Sequence, residues 1–255
     1  MIKEEHFDHP MALETINGTK VNTTYMNNNG VVPENSIIEE TVNMYVPGTV
    51  SVFSTDPAVI WRMEARTIFD RFLWRMRSYI VGALDNSEDT AVVENQLFQN
   101  VDEIGNSVKP YYGLVASKQL SQLLRSFALA NIEFVQTLKK GEQDKLPALL
   151  VKINSSIDEF ADFLSTANPQ FWPRDVVVSV TKELVTAWHN QARARLAKNW
   201  PVDIESTDTA HRIVSGGQDD GTPAFSDVFA KGIIMQFPDR FAPATTATTN
   251  GTGTV

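Results

Sequence analysis

The chain of 255 residues has no cysteine. That excludes disulfides, thiolate nucleophiles, iron–sulfur clusters and cysteine-ligated zinc, and it fits a reducing compartment. Positive charge is scarce: 22 Lys and Arg stand against 31 Asp and Glu, a formal net charge of -9. A polyanion held by counterion release needs the opposite balance, so nucleic acid is not an expected partner. No stretch approaches the ~18 consecutive apolar residues of a membrane-crossing helix, and the opening MIKEEHFDHP has no apolar signal-peptide core. Motifs with a phosphate or acyl chemistry of their own are missing too. There is no Walker lysine loop, no Gly-x-Gly-x-x-Gly after a strand and no Gly-x-Ser-x-Gly elbow.

What is present divides into three zones. Residues 1–54 hold two lysines against seven acidic side chains, a net -5. They are rich in Asn and Thr, with β-like runs at Ala12 to Ile16, Thr19 to Thr24 and Ile37 to Val46, and Asn17-Gly18 suits a two-residue hairpin turn. A lone hairpin is marginal in water, so this zone reads as an extended arm with short hairpins, ordered by the body or by a neighbour. Residues 238–255, ending ATTATTNGTGTV, are too small and polar to bury and read as a flexible tail.

Residues 55–237 carry helical periodicity. Trp61, Ala65, Ile68, Phe72, Met76, Tyr79 and Ala83 recur in steps of three and four, as do Ala116, Leu120, Leu123, Phe127, Asn131, Phe134 and Leu138. Shorter stripes run Val93 to Val108, Leu146 to Leu164 through Phe160, and Val177 to Trp188. A sixth segment begins at Pro201, with Asp203 and Glu205 near the positive end of its dipole. It breaks over Ser215 to Pro223 and resumes from Phe225 to about Gln236. Short links at Asp85-Asn86-Ser87, Tyr112-Gly113, Lys140-Gly141, Asn168-Pro169 and Asn199-Trp200-Pro201 favour antiparallel neighbours. The expected fold is all-α, an up-and-down bundle of five to six helices, with Trp61, Ile68, Phe72, Phe127, Phe134, Phe160 and Trp188 in its core and Phe171 and Trp172 filling the corner between the fourth and fifth.

Polar residues offer few constellations. A di-iron or zinc bundle needs inward carboxylates with Glu-x-x-His pairs on facing helices, and no Glu-x-x-His occurs. The nearest approach is Asp208 with His211, three apart on one helix face, where the carboxylate could orient the imidazole or both could ligate one ion. On the first helix Arg62, Arg66, Asp70 and Arg77 form one charged strip, and Glu64, Arg71 and Arg75 another. Asp158, Glu159 and Asp162 on the fourth are candidates to pair with them. The ordinary reading of such strips is an ion-pair ladder at wet helix edges. Gly216-Gly217 with Asp219, Asp220 and Gly221 lacks the alternating ligands and closing Glu of a calcium loop and reads as an exposed insertion.

Five strings in order, MRSYIVGALDN (76–86), QNVDEIGNSVKPYYG (99–113), ADFLSTANPQFWP (161–173), NWPVDI (199–204) and GIIMQFPDRF (232–241), resemble a family of small all-helical proteins of bacteria and archaea without a settled function, with relatives in large DNA viruses. The resemblance spans residues 60–241. It implies histidines where this chain has Phe72 and Phe127, and a carboxylate at Gln191, whereas Asp208 and His211 match. If those polar residues form a centre in the family, aromatic packing has replaced most of it here, since a buried Phe stabilises by about 1.5–3 kcal/mol where a buried imidazole needs partners.

These observations lead to an expectation of a non-enzymatic structural and interaction protein without a cofactor. It would join other protein subunits through its arm and tail in a larger assembly, in its narrowest form as a minor capsid-associated protein of a large DNA virus. The location that goes with it is the cytoplasm or a virion. The alternative is a bundle that binds a metal or small ligand through Asp208 and His211.

Overall fold

A computed structural model describes residues 56–216 and 221–242. The expected arm and its hairpins, and most of the tail, lie outside the described residues. Within them the structure is all-helical. Seven α-helices follow one another: α1 Pro57–Asp85, α2 Thr90–Ser107, α3 Lys109–Lys139, α4 Leu146–Ala167, α5 Arg174–Leu196, α6 Trp200–His211 and α7 Phe225–Gln236. A π-helical turn, Arg212–Gly216, extends α6, and short 3₁₀ turns occupy Gln143–Lys145 and Pro238–Arg240. The count exceeds the expected five to six because the segment after Pro201 is two separate helices.

Local chemistry sets the boundaries. Pro57 opens α1 behind Asp56, whose side chain accepts a hydrogen bond from the Ala58 amide at 2.8 Å. Asn86 closes α1 in the left-handed region (φ 60°). Asn199 and Pro201 repeat the opening arrangement at α6, with Asn199 accepting from Val202 at 3.5 Å. Gly113 (φ 80°) puts a kink inside α3 that an L side chain would resist, so the turn read at Tyr112-Gly113 is present as a bend and not as a gap between helices.

Interhelical contacts fix the directions. Gln136 donates to the Tyr79 hydroxyl and Lys139 to the Ala83 carbonyl, so α1 and α3 run parallel. Phe72 meets Trp188 while Asp85 pairs with Arg195, which makes α5 parallel to α1 as well. The antiparallel partners of α1 are α2, whose Thr90 lies against Gly82 while Asn100, ten residues on, donates to the Ile68 carbonyl, and α6, where Asp203 pairs with Arg77 and His211 lies by Asp70.

Six of the seven expected core residues are buried: Trp61, Phe72, Phe127, Phe134, Phe160 and Trp188. Ile68 is the exception. It is only partly buried, and Phe69 takes the core position beside it, packing edge-on against Phe225 and Phe229. Two more stripe positions drift the same way: Leu124 is buried in place of the expected Leu123, which is half-buried, and on α4 Leu149 is buried in place of Leu150, four residues after Leu146 in the expected stripe, which is exposed. A core enclosed from several sides is wider than a one-residue-per-turn stripe.

Trp172 fills the α4–α5 corner, fully buried and stacked on Phe229 of α7 at 5.3 Å, whereas Phe171 is only partly buried. Its indole donates to the Val228 carbonyl at 3.3 Å. A Cβ on Gly232 would come within 2.5 Å of the Trp172 indole nitrogen, so the glycine is what admits the tryptophan. Asn168 reinforces the seam by donating to the Gly232 carbonyl at 2.9 Å. Packing continues to Phe241, which stacks on Tyr111 with rings 5.6 Å apart. No helix of the described residues is long and apolar enough to cross a membrane.

Candidate functional site

Three places in the bundle bring chemistry-bearing residues together. The first is the middle. Phe72 of α1 and Phe127 of α3 each lie with ring centroids 5.8 Å from Trp188 of α5, so the two phenylalanines meet through the indole. On one side of this aromatic layer is a small apolar gap of about 30 Å³, room for a water or two. Phe69, Phe72, Phe127, Phe160 and Phe225 supply most of its wall, with Leu124, Leu184, Val180 and Val214. Its one polar residue is Thr181, whose hydroxyl donates to the Val177 carbonyl at 2.7 Å.

On the other side of the layer the core admits polar groups. Asn131 and Gln191 are both 1% exposed. The Asn131 amide donates to the Phe127 carbonyl at 2.9 Å, but its oxygen and the Gln191 amide nitrogen have no hydrogen-bond partner among the described residues. Gln191, the position where the resemblance implies a carboxylate, is thus a neutral buried amide here. Nearby on α5, His189 stacks face to face on Phe134 at 3.5 Å, and the Arg193 guanidinium lies 5.2 Å from the centroid of that phenyl ring. Burial, aided by the Arg193 charge, pushes the His189 pKa from its ordinary 6.5 down to about 3. The imidazole is therefore neutral over the physiological range.

The second place is a knot of charge at the junction of α1, α5 and α6. The Asp203 side chain is 2% exposed and accepts from Arg77 at 2.7 Å on one oxygen and from Arg195 at 2.8 Å on the other. Arg195 also reaches Asp85 at the end of α1 and lies 5.5 Å from the Trp200 ring. Two guanidiniums and two carboxylates close into a neutral group, so neither sign is left over to attract a ligand. Asp203 had a plain role in the sequence as a dipole partner near the start of α6. Its burial between Arg195, eight residues upstream, and Arg77 of α1, 126 residues upstream, has no signature in the helical periodicity.

The third place holds the residues of the metal-binding alternative. His211 sits at the end of α6 with its Nε2 3.4 Å from Asp70 Oδ1 of α1, not beside Asp208 as the three-residue spacing had suggested. A Cβ on Gly216 would come 3.2 Å from His211 Nδ1, so the π-helical turn folds back over the ring. Asp208 is exposed. Among the described residues no group of three or more His, Asp or Glu converges as a metal centre would require.

Two further arginines of α1 pair with α7. Arg62 and Arg66 both form two-pronged hydrogen bonds to Asp227 of α7, at 2.6 to 2.8 Å. Burial pushes the Asp227 carboxyl up, but the Arg62 and Arg66 hydrogen bonds outweigh it and hold the group well below the usual carboxylate range. Asp158 and Asp162, candidate partners for the α1 arginines, pair instead with Arg174 at the start of α5. The α4–α5 corner brings that arginine to them, while the α1 charges face α2, α6 and α7.

Compared with known protein families, curated proteins and solved structures, the chain matches none.

Proposed function

We infer that the protein is a non-enzymatic helical-bundle component of a larger protein assembly. The observation that carries this reading is the aromatic layer of Phe72, Trp188 and Phe127. It occupies the middle of the bundle, where a bundle that does chemistry gathers its inward polar ligands. Two features agree with it. The buried carboxylate Asp203 and the partly buried Asp227 are consumed by arginines in holding helices together. Large apolar side chains stand on the outside, among them Val115 at 81%, Met63 at 63% and Trp74 at 55% exposure, as on a body that meets other chains. In this reading the acidic segment 1–54 makes partner contacts through residues such as Tyr45, Val46 and Phe53, and the narrower form is a virion protein, in keeping with the family resemblance.

Fractionation of the native source tests it. The chain should sediment with a particle much larger than its own 28.4 kDa, and cross-linking there should join segment 1–54 to a different polypeptide. Recovery of the native chain only as a free monomer, without such cross-links, overturns the reading.

A further inference from the structure

We propose that the outer face of α1 is the contact through which two copies of this chain pair antiparallel. Ile60, Met63, Thr67, Trp74, Ser78 and Val81 recur in steps of three, four and seven, so they form one strip along the helix. α1 carries five arginines and three acids, yet none falls on this strip between Ile60 and Val81. Its flanks are α2, where Arg71 reaches Glu103, and α6, where Arg77 reaches Asp203. The large side chains of the strip stay open between them, with Met63 63% and Trp74 55% exposed. α6 widens the patch. Trp200, Ile204, Thr207 and His211 share one of its faces in steps of three and four, and the closeness of His211 to Asp70 turns that face toward the outer edge of α1. Ile204 is 52% and Trp200 50% exposed.

Charge points to the occupant. Each copy carries a net -9, so two copies can approach closely only through a face with no net charge of its own. The strip is such a face, and Arg71 and Arg77 at its borders are matched by acids of the same chain. A partner that recognises charge finds nothing there to hold, whereas a second α1 presents the same neutral apolar row. Covering the strip costs little in hydrogen bonds, since the Thr67 hydroxyl already donates to the Met63 carbonyl at 2.8 Å. Met63 and Trp74 are eleven residues apart, about 16 Å and three turns, on nearly one line. A two-fold axis crossing α1 midway between them sets Met63 of each copy against Trp74 of the other, a thioether-to-ring contact made twice, and opposes the two helix dipoles. Ile60, Met63, Trp74, Trp200 and Ile204 together offer on the order of 500 Å² per copy, toward the ~800 Å² that each side of a stable interface buries. The pairing does not rest on the assembly reading: the isolated chain tests the one and the native source the other.

Sedimentation equilibrium of the purified full chain at about 100 μM should show a reversible dimer of twice 28.4 kDa. Met63→Asp and Trp74→Arg change exposed side chains, so each should keep the circular dichroism of the parent. Each should also raise the dissociation constant at least about a hundredfold, because symmetry puts the new charge into the contact twice. Mixed in equal amounts, the two variants should form a heterodimer, in which one contact stays Met to Trp and the other becomes a carboxylate–guanidinium pair. Val115→Asp, on α3 and 81% exposed, lies off the strip and should dimerise like the parent. The proposal fails if the parent is monomeric at that concentration, if either folded variant dimerises as well as the parent, if the mixture stays monomeric, or if Val115→Asp dissociates as readily as the strip variants.

Discussion

The middle of the bundle and the junction of α1, α5 and α6 solve the same packing problem with opposite materials. In the middle, Phe72, Phe127 and Trp188 meet by ring contacts that carry no charge and little directionality. At the junction, Arg77, Asp203, Arg195 and Asp85 meet by directed hydrogen bonds whose desolvation cost must be offset by exact pairing. The aromatic layer tolerates an imperfect fit, and a pocket remains beside it. The charged knot is more constrained: its two arginines and two acids come out neutral and each oxygen of the buried Asp203 is used, while Arg195 Nε stays buried without a hydrogen-bond partner among the described residues. Rings therefore supply cohesion where precision is not needed, and charges fix how α6 docks on α1 and α5.

The sharpest way to break this comparison is to remove one charge. Asp203→Ala leaves two largely buried guanidiniums facing each other and should cost about 3–5 kcal/mol, read as a lower denaturant midpoint at unchanged slope. Replacing Asp203, Arg77 and Arg195 together by apolar residues of similar volume should recover most of that loss. A single variant that unfolds like the parent would show that the knot does not hold the junction.

Next in size is a pH effect inside the apolar region. The folded pKa of His189 is depressed, so its contribution is full above its unfolded value of 6.5 and is lost as pH falls toward about 3. Between pH 7 and pH 4 stability should drop by about 3 kcal/mol through this one group. His189→Gln should flatten that part of the profile, and an unchanged profile would place the imidazole in contact with water.

Phe72→His carries the comparison into the aromatic layer itself. The new imidazole would lose apolar burial and stand against Trp188 and a pocket with no free hydrogen-bonding group, costing about 2 kcal/mol at pH 7 by denaturant titration. A variant as stable as the parent would mean that the layer admits polar groups after all.

Asp227 is the mildest case, because its partners Arg62 and Arg66 are 54% and 43% exposed. Asp227→Asn should cost about 1 kcal/mol at neutral pH and low salt. Its folded pKa is lowered, so the parent keeps this stability above the unfolded value of 3.8 and loses it as pH falls further. The variant should lack that acid-side loss, and a difference that persists in high salt would contradict an exposed pair.

Much of the framework was legible along the chain. The three-and-four spacing of Trp61 through Ala83 located α1, and Ser215 to Pro223 marked the gap before α7. Phe72 and Phe127, read as departures from a polar pattern, do lie in one layer. The limits of that reading are as specific. Ile68 gave way to Phe69 because α7 packs on α1, and periodicity cannot reveal a neighbour 160 residues downstream. Asp208 and His211 share a helix face, yet Asp70 is the carboxylate that His211 meets, since the antiparallel docking of α6 on α1 brings it there. His189 carried no sign of its burial, because one imidazole in a mixed sequence looks the same stacked on Phe134 or in water.

The sequence by itself determined the helices, their breaks and the absence of sulfur chemistry, because periodicity, caps and composition act between residues close along the chain. Tertiary structure alone decided which charges pair, which imidazole loses its proton affinity and where rings leave a space. Those outcomes depend on distances between segments far apart in sequence, and on the desolvation that only a closed interior imposes.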